Sequence, residues 1–478
     1  MSDARFEAHP VPALVVTGAG PRPQAVELVG PRARVVARLA GRGKTWRATL
    51  VLQASRWGGP VLPLPGGEYA LHVDGDDVPA TSVPVTMLGP LRASLERGIV
   101  RIGPPLDPAY ESWEGQAALE RRYATRPQVR LENAVFFESF YGRNVSDNPL
   151  AIDRELVRRA PGVTRYWSVV DLSIPVPEGA IAVVEGSPEW WRARGAARLL
   201  VVNDWLRRRF ERRPGQRVLQ TWHGTPLKRL ALHRGFAPRR AVAVVREARR
   251  WNVLLAQNPY AAGILRAAYA FLGRPVWVEG YPRNDVLVAG DGGATRRLLG
   301  IGAGERVLLY APTWRDDRDD MVDFLDAPRL AEDTGAVVLV RGHSRTLLPG
   351  RDTAGSRVID VTGFPDTAQL MAAADALVTD YSSVMFDFSV TGRAMFFFAP
   401  DVEHYRGRLR DFYFDLQERA LGPLVRTQDE LVRAIRDHDP STWEGRYAQW
   451  RAVFNARDDG HAAERVVARI LDQGFVSR

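Results

Sequence analysis

From about residue 130 onward, short continuous apolar runs alternate with longer stretches of helical periodicity. The runs are 134–137 (AVFF), 199–202 (LLVV), 218–222 (VLQTW), 252–256 (NVLLA) and 276–280 (VWVEG), then 307–311 (VLLYA), 336–340 (AVVLV), 357–361 (RVIDV), 376–379 (ALVT) and 394–398 (AMFFF). An apolar run without polar alternation marks a strand buried on both faces, and such strands spaced by helices build parallel sheets. The runs are too numerous for one ordinary sheet. A break near 286–304, where GDGGATRRLLGIGAGE interrupts the rhythm, predicts two doubly wound α/β halves, 126–285 and 286–478.

Residues 1–125 follow another pattern. They are rich in proline and glycine, and segments such as Trp46–Leu52 and Glu68–Val73 alternate between polar and apolar positions, separated by Gly-Gly and Asp-Gly-Asp-Asp turns. This predicts a small antiparallel β domain. No cluster within it suggests catalysis.

The 478 residues, 45% of them hydrophobic, exceed one ordinary core and fit two or three domains. Mean hydropathy is −0.21 and a quarter of the residues are charged, as in a soluble globular protein. No apolar run approaches the roughly 18 residues needed to span a bilayer. The N-terminus lacks the basic start and apolar middle of an export signal, so a cytoplasmic location is expected. The absence of cysteine excludes disulfides, thiolate metal sites and cysteine nucleophiles.

The net charge of +9 is carried almost entirely by arginine, since Lys44 and Lys228 are the only lysines. Charge of this sign attracts anionic lipid, phosphorylated polymers or nucleic acid alike. The densest runs are 207–213 (RRRFERR) and the segment from Arg239-Arg240 to Arg249-Arg250. The second brackets AVAVV and predicts a basic amphipathic helix.

In doubly wound sheets ligands bind beyond the carboxyl ends of the strands. After 218–222 come His223-Gly224-Thr225-Pro226-Leu227-Lys228, where Thr225 suits a helix cap and Pro226 a first helical position. Gln257-Asn258-Pro259 follows the next run in the same way. Later runs are followed by Arg283, by Pro312-Thr313, by Arg341-Gly342-His343 and by Asp380-Tyr381-Ser382-Ser383, with Asp387 one turn further on. Two histidines at strand ends in different halves fit a cleft between facing sheets. Arg283, Arg341 and the backbone amides at Ser382-Ser383 are groups that an anionic diphosphate would seek.

Other chemistries lack their signatures. There is no GxxxxGK[ST] loop, no GxGxxG after a strand and no HExxH. The acidic DDRDD at 316–320 is interrupted by Arg318 and reads as a solvated loop rather than a metal site. No cofactor and no metal are expected.

At these strand ends the sequence resembles the CDP-glycerol glycerophosphotransferase family of teichoic-acid and capsule synthesis. The matching stretches are ESFYG (138–142), SDNP (146–149), TWHGTPLK (221–228), GYPRND (280–285), APTWR (311–315), RGH (341–343) and TDYSS (379–383) with Asp387. After Lys228 the family's Gly-aromatic-Asp continuation is replaced by RLALHRG.

The resemblance implies a GT-B-like architecture: two Rossmann-type halves facing a cleft, with acceptor on the first and CDP-activated donor on the second. It also implies metal-independent transfer of an alditol phosphate, from CDP-glycerol or another CDP-alditol, to a lipid-linked or polymer acceptor. Peripheral attachment to the anionic inner face of the cell membrane follows from the same likeness, with nucleic acid excluded as a partner. By position, His223 would be the general base. His343 and Arg341 would hold the donor diphosphate. Gly224, Thr225, Arg283, Pro312, Thr313, Gly342, Ser382, Ser383 and Asp387 would complete the donor site, supported by Lys228 and Asp380. The rival readings are a GT-B glycosyltransferase or epimerase acting on a nucleotide sugar, and a non-catalytic basic protein that binds membrane or nucleic acid.

Overall fold

In the N-terminal region, strand Thr45–Val51 buries Trp46, Ala48 and Leu50 on one face and leaves its other face wetter, as the alternation predicts. It pairs antiparallel with Ala13–Ala19, which pairs in turn with Asp3–Glu7. A second antiparallel sheet carries Gly67–Val73 between Ile99–Gly103 and Val26–Val29. The Asp-Gly turn that follows Gly67–Val73 places both Asp74 and Gly75 at positive φ, the type I′ geometry that matches strand twist. Leu14, Val16, Leu28, Tyr69, Leu71 and Val100 fill the core between these sheets. A separate hairpin, Gln53–Ser55 with Val61–Pro63, projects from this unit.

The computed structural model describes residues 3–30, 32–41, 44–77, 80–123, 130–235, 237–313, 325–342, 357–401 and 411–478. All ten runs read from the sequence lie in parallel sheets. The first sheet, in spatial order, is Ile181–Val184, Thr164–Val169, Glu132–Glu138, Ala197–Val202, Arg217–Gln220, Val253–Ala256 and Val276–Val278. The second is Val358–Asp360, Val337–Val340, Val307–Ala311, Ala376–Thr379, Ala394–Phe398 and Leu424–Val425. Counted along the chain, each begins 3-2-1-4-5-6, the doubly wound order in which ligands bind at the point where strand order reverses. The protein is α/β, with two parallel sheets preceded by antiparallel β structure.

Two local expectations differ from the structure. The helix expected from Thr225-Pro226 does not form: 225–230 is extended, and Lys228 makes an antiparallel bridge to Phe412. The Thr225 hydroxyl is engaged elsewhere, donating to Gln257 Oε1 (2.5 Å) and accepting from Asn258 Nδ2 (3.1 Å). The Asn258-Pro259 signal does start a helix, Pro259–Ala268, with Asn258 Oδ1 accepting from the Ala261 amide at 2.8 Å.

The stretch 286–478 also serves both halves. Its last helix, Ala462–Asp472, leaves the second half and packs Val466, Val467 and Ile470 into the core of the first, beside Ile152, Leu156 and Trp277. Phe475 stacks on Trp277 at 6.0 Å, and Ser477 exchanges hydrogen bonds with Asn133.

Candidate functional site

A cleft of about 770 Å³ lies between the two parallel sheets, lined from the loops that follow their strands. Phe140, Tyr141, Asp204, His223 and Arg283 come from the first half, and Arg341, Gly342, Ser382, Ser383 and Asp387 from the second. The antiparallel unit forms a third wall with Arg32, Arg56 and Trp57.

His223 follows Trp222, whose φ of 55° turns the chain sharply as it leaves the strand. The imidazole stacks on the Trp222 indole at 4.6 Å, and its Nδ1 stands 2.6 Å from the carbonyl oxygen of Asn203. A carbonyl can only accept, so Nδ1 carries the proton and Nε2 of the neutral ring keeps its lone pair. That is the tautomer a general base needs. Phe140, Tyr141 and Asp147 also have positive φ, so backbone strain gathers around this histidine.

Arg283 joins the halves. Its Nη1 donates to Asp147 Oδ2 (2.5 Å) and to the His223 carbonyl (3.0 Å), while its Nη2 donates to Asp387 Oδ2 (2.7 Å). Burial by itself would lower its pKa, but Asp147 and Asp387 outweigh that and hold it above the ordinary value. Burial pushes Asp387 up, opposed by Arg283. With one cation and two carboxylates, the cluster presents no uncompensated positive charge.

The remaining expected residues divide by role. A Cβ at Gly224 would stand 2.8 Å from Ser383 Oγ and 3.2 Å from its Cβ, so glycine lets the two halves touch there. Asp380 accepts from the Thr313 amide at 2.9 Å and so holds the loop that begins at Pro312. Arg341 donates to the carbonyls of Val361 (3.1 Å) and Phe364 (2.9 Å), and burial pulls its pKa down to about 10. The Gly342 amide donates to Thr362 Oγ1 at 3.0 Å. Ser382 and Ser383 precede a single helical turn, Val384–Phe388. Thr225 is fully buried beneath the cleft and does not line it. His343 and the acidic 316–320 lie outside the described residues. Among the described residues no three His, Asp or Glu side chains gather as a metal site.

The family described as CDP-Glycerol:Poly(glycerophosphate) glycerophosphotransferase matches residues 122–472. The chain belongs to that family. As a glycerophosphotransferase-family member it is an enzyme of this transferase type. It is 33% identical over 375 residues to the teichoic acid glycerol-phosphate transferase of Staphylococcus aureus, covering 71% of this chain and 93% of that one. It is 34% identical over 372 residues to the teichoic acid poly(glycerol phosphate) polymerase of Bacillus subtilis, covering 73% of this chain but half of that protein. Among solved structures, the wall teichoic acid polymerase TagF superposes with a TM-score of 0.70 at 29% identity, over 76% of this chain and 94% of the other.

Glycerophosphotransferase membership accounts for 122–472, which leaves the antiparallel unit outside the match although it lines the cleft. Sequence reasoning passed over Asn203, Asp147 and Arg56. Asp147 lies in the SDNP stretch and could have been found there. Asn203 acts through its backbone carbonyl, which no side-chain pattern reports, and Arg56 reaches the cleft only through tertiary docking.

Proposed function

We propose that this enzyme transfers glycerol phosphate, or a related alditol phosphate, from a CDP-activated donor to a hydroxyl of a teichoic-acid-like or capsular polymer, releasing CMP. The observation that carries the reading is the His223 ring, oriented by the Asn203 carbonyl with Nε2 unspent in the cleft shared by both halves. Nε2 takes the proton from the acceptor hydroxyl as its oxygen attacks the phosphorus that bears the alditol. The bond from that phosphorus to the bridging oxygen breaks, and the electron pair leaves with CMP. The frame is GT-B-like, with acceptor on the first half and donor on the second. On the donor side Ser382, Ser383 and Thr313 carry hydroxyl donors, Gly342 lines the cleft beside them, and the role of holding the diphosphate goes to Arg341 and, by its place in the RGH stretch, to His343. Arg283 and Asp387 couple the two walls rather than supplying free charge.

A basic groove supports attachment to an anionic membrane face. Arg208–Arg212 and helix Pro238–Arg250 border it, and Val242 on that helix is 58% exposed. No helix among the described residues is long and apolar enough to cross a membrane.

Product analysis by mass spectrometry, with a lipid-linked acceptor and CDP-glycerol, CDP-ribitol or UDP-sugars in turn, tests the reading. An alditol phosphate increment with CMP release is expected. A sugar increment from a UDP donor would replace it with the nucleotide-sugar alternative.

A further inference from the structure

Two arginines of the antiparallel unit line the cleft without a salt bridge among the described residues. The hairpin tip that carries Arg56 is wedged against the second half: Trp57 Nε1 donates to the Gly363 carbonyl (3.1 Å) and its ring meets Phe364 edge-on at 5.4 Å. Trp57 and Gly58 both have positive φ, and a Cβ on Gly58 would stand 2.5 Å from Leu298 Cδ1. On the other side, the Gly66 amide donates to Asp171 of the first half at 2.9 Å. The unit therefore bridges both halves and fixes Arg56 against Gly363, where a Cβ would lie 3.3 Å from Arg56 Nη2.

Neither Arg32 nor Arg56 makes an ion pair or side-chain hydrogen bond among the described residues, and both line the cleft. The cleft carboxylates make their close contacts elsewhere: Asp147 and Asp387 bind Arg283, Asp204 accepts from Tyr141, Asp366 from the Ala368 amide, and Asp171 from Gly66 and Ser173. Asp171 attracts Arg56, but less than burial and Arg32 oppose it. Burial, and after it the like charge of Arg32, holds Arg56 below its ordinary pKa. Like charges placed together in a partly desolvated cleft are unfavourable until an anion joins them.

We propose that Arg32 and Arg56 form a phosphodiester-binding subsite for the acceptor chain, which makes the antiparallel unit part of the substrate cleft. The inference rests on the transfer reading above. The acceptor is favoured over the donor because the family match begins at residue 122, so the donor recognition shared across the family does not draw on this unit. What it adds belongs to the substrate that varies.

The test is calorimetric titration of the full chain, separately with a defined glycerol-phosphate oligomer and with CDP-glycerol. Arg56→Gln and Arg32→Gln should each weaken the oligomer by at least about tenfold, since a hydrogen bond to a charged group is worth that much or more. Arg56→Lys should lose less, and CDP-glycerol affinity should stay unchanged in all three. Unchanged oligomer binding in both Gln variants would overturn the subsite. Equal weakening of CDP-glycerol would move these arginines to the donor and overturn the acceptor assignment. Arg32 is exposed, so Arg32→Gln carries the test should Arg56→Gln not fold. Oligomer binding needs no turnover. Failure of the transfer reading would appear instead as wild-type protein that consumes no CDP-alditol.

Discussion

Arg283, supplied by the loop after the last strand of the first sheet, donates at 2.7 Å to Asp387, one turn into the second half's Ser-Ser segment. With Asp147 on its other amino group, this guanidinium is a buried three-membered ion cluster spanning the cleft. Removing its centre strands two buried carboxylates. Arg283→Ala should cost roughly 3–5 kcal/mol of stability, read from denaturant midpoints. Adding Asp147→Asn and Asp387→Asn should recover part of the loss. If the triple variant is no more stable than Arg283→Ala, the charge account is wrong.

His223→Ala should lower the turnover number by about 10²–10⁴-fold while leaving donor binding nearly intact. His343→Ala should weaken the CDP donor as well as turnover, because a bond to a charged diphosphate is lost. Steady-state rates beside donor titration check both. An exchange of the two phenotypes would exchange the roles.

Glu138, at the end of a central strand of the first sheet, has its carboxyl pushed up to about 7 by burial, against the pull of Arg194. A raised folded-state pKa means the group favours folding below its ordinary 4.5 and loses that contribution as pH rises through about 7. Wild-type stability should therefore fall between those pH values by more than that of Glu138→Gln. Parallel pH profiles of thermal midpoints for the two proteins would refute the assignment.

Binding to anionic vesicles should weaken sharply with salt, and Arg246→Glu with Arg249→Glu should reduce it further, since neither arginine has a carboxylate partner among the described residues. Sedimentation with vesicles checks this. Equal binding to neutral vesicles would remove charge as the cause.

Transfer should persist in EDTA, as expected where protein cations and amide donors carry the diphosphate charge. Activity that vanishes and returns with magnesium would show that they do not suffice.

Ten strands of the two parallel sheets were legible as mainly apolar runs, while Thr164–Val169, Ile181–Val184 and Leu424–Val425 were passed over. In Thr164–Val169, Arg165 and Ser168 break the run. The structure buries that arginine against Asp153 at 3.1 Å, a partner the local sequence cannot reveal. The strand-end positions of His223, Arg283 and Ser382-Ser383 were readable from chain order alone. What they do to one another was not. Thr225 has every local mark of a helix cap, yet its hydroxyl is held by Gln257 and Asn258 from the neighbouring loop. Arg56 likewise carries no local signal, because its position in the cleft depends on where a hairpin docks.

The helix Ala462–Asp472, which seals the first half's core, has a consequence for the order of assembly. On the ribosome the first sheet is complete long before its covering helix exists. Ile152, Leu156 and Trp277 wait with one apolar face open until the second half has been made and the chain has crossed back. The first half therefore matures last although it is synthesised earlier, and deletion of residues 462–476 would unfold the half that lies farther away in sequence.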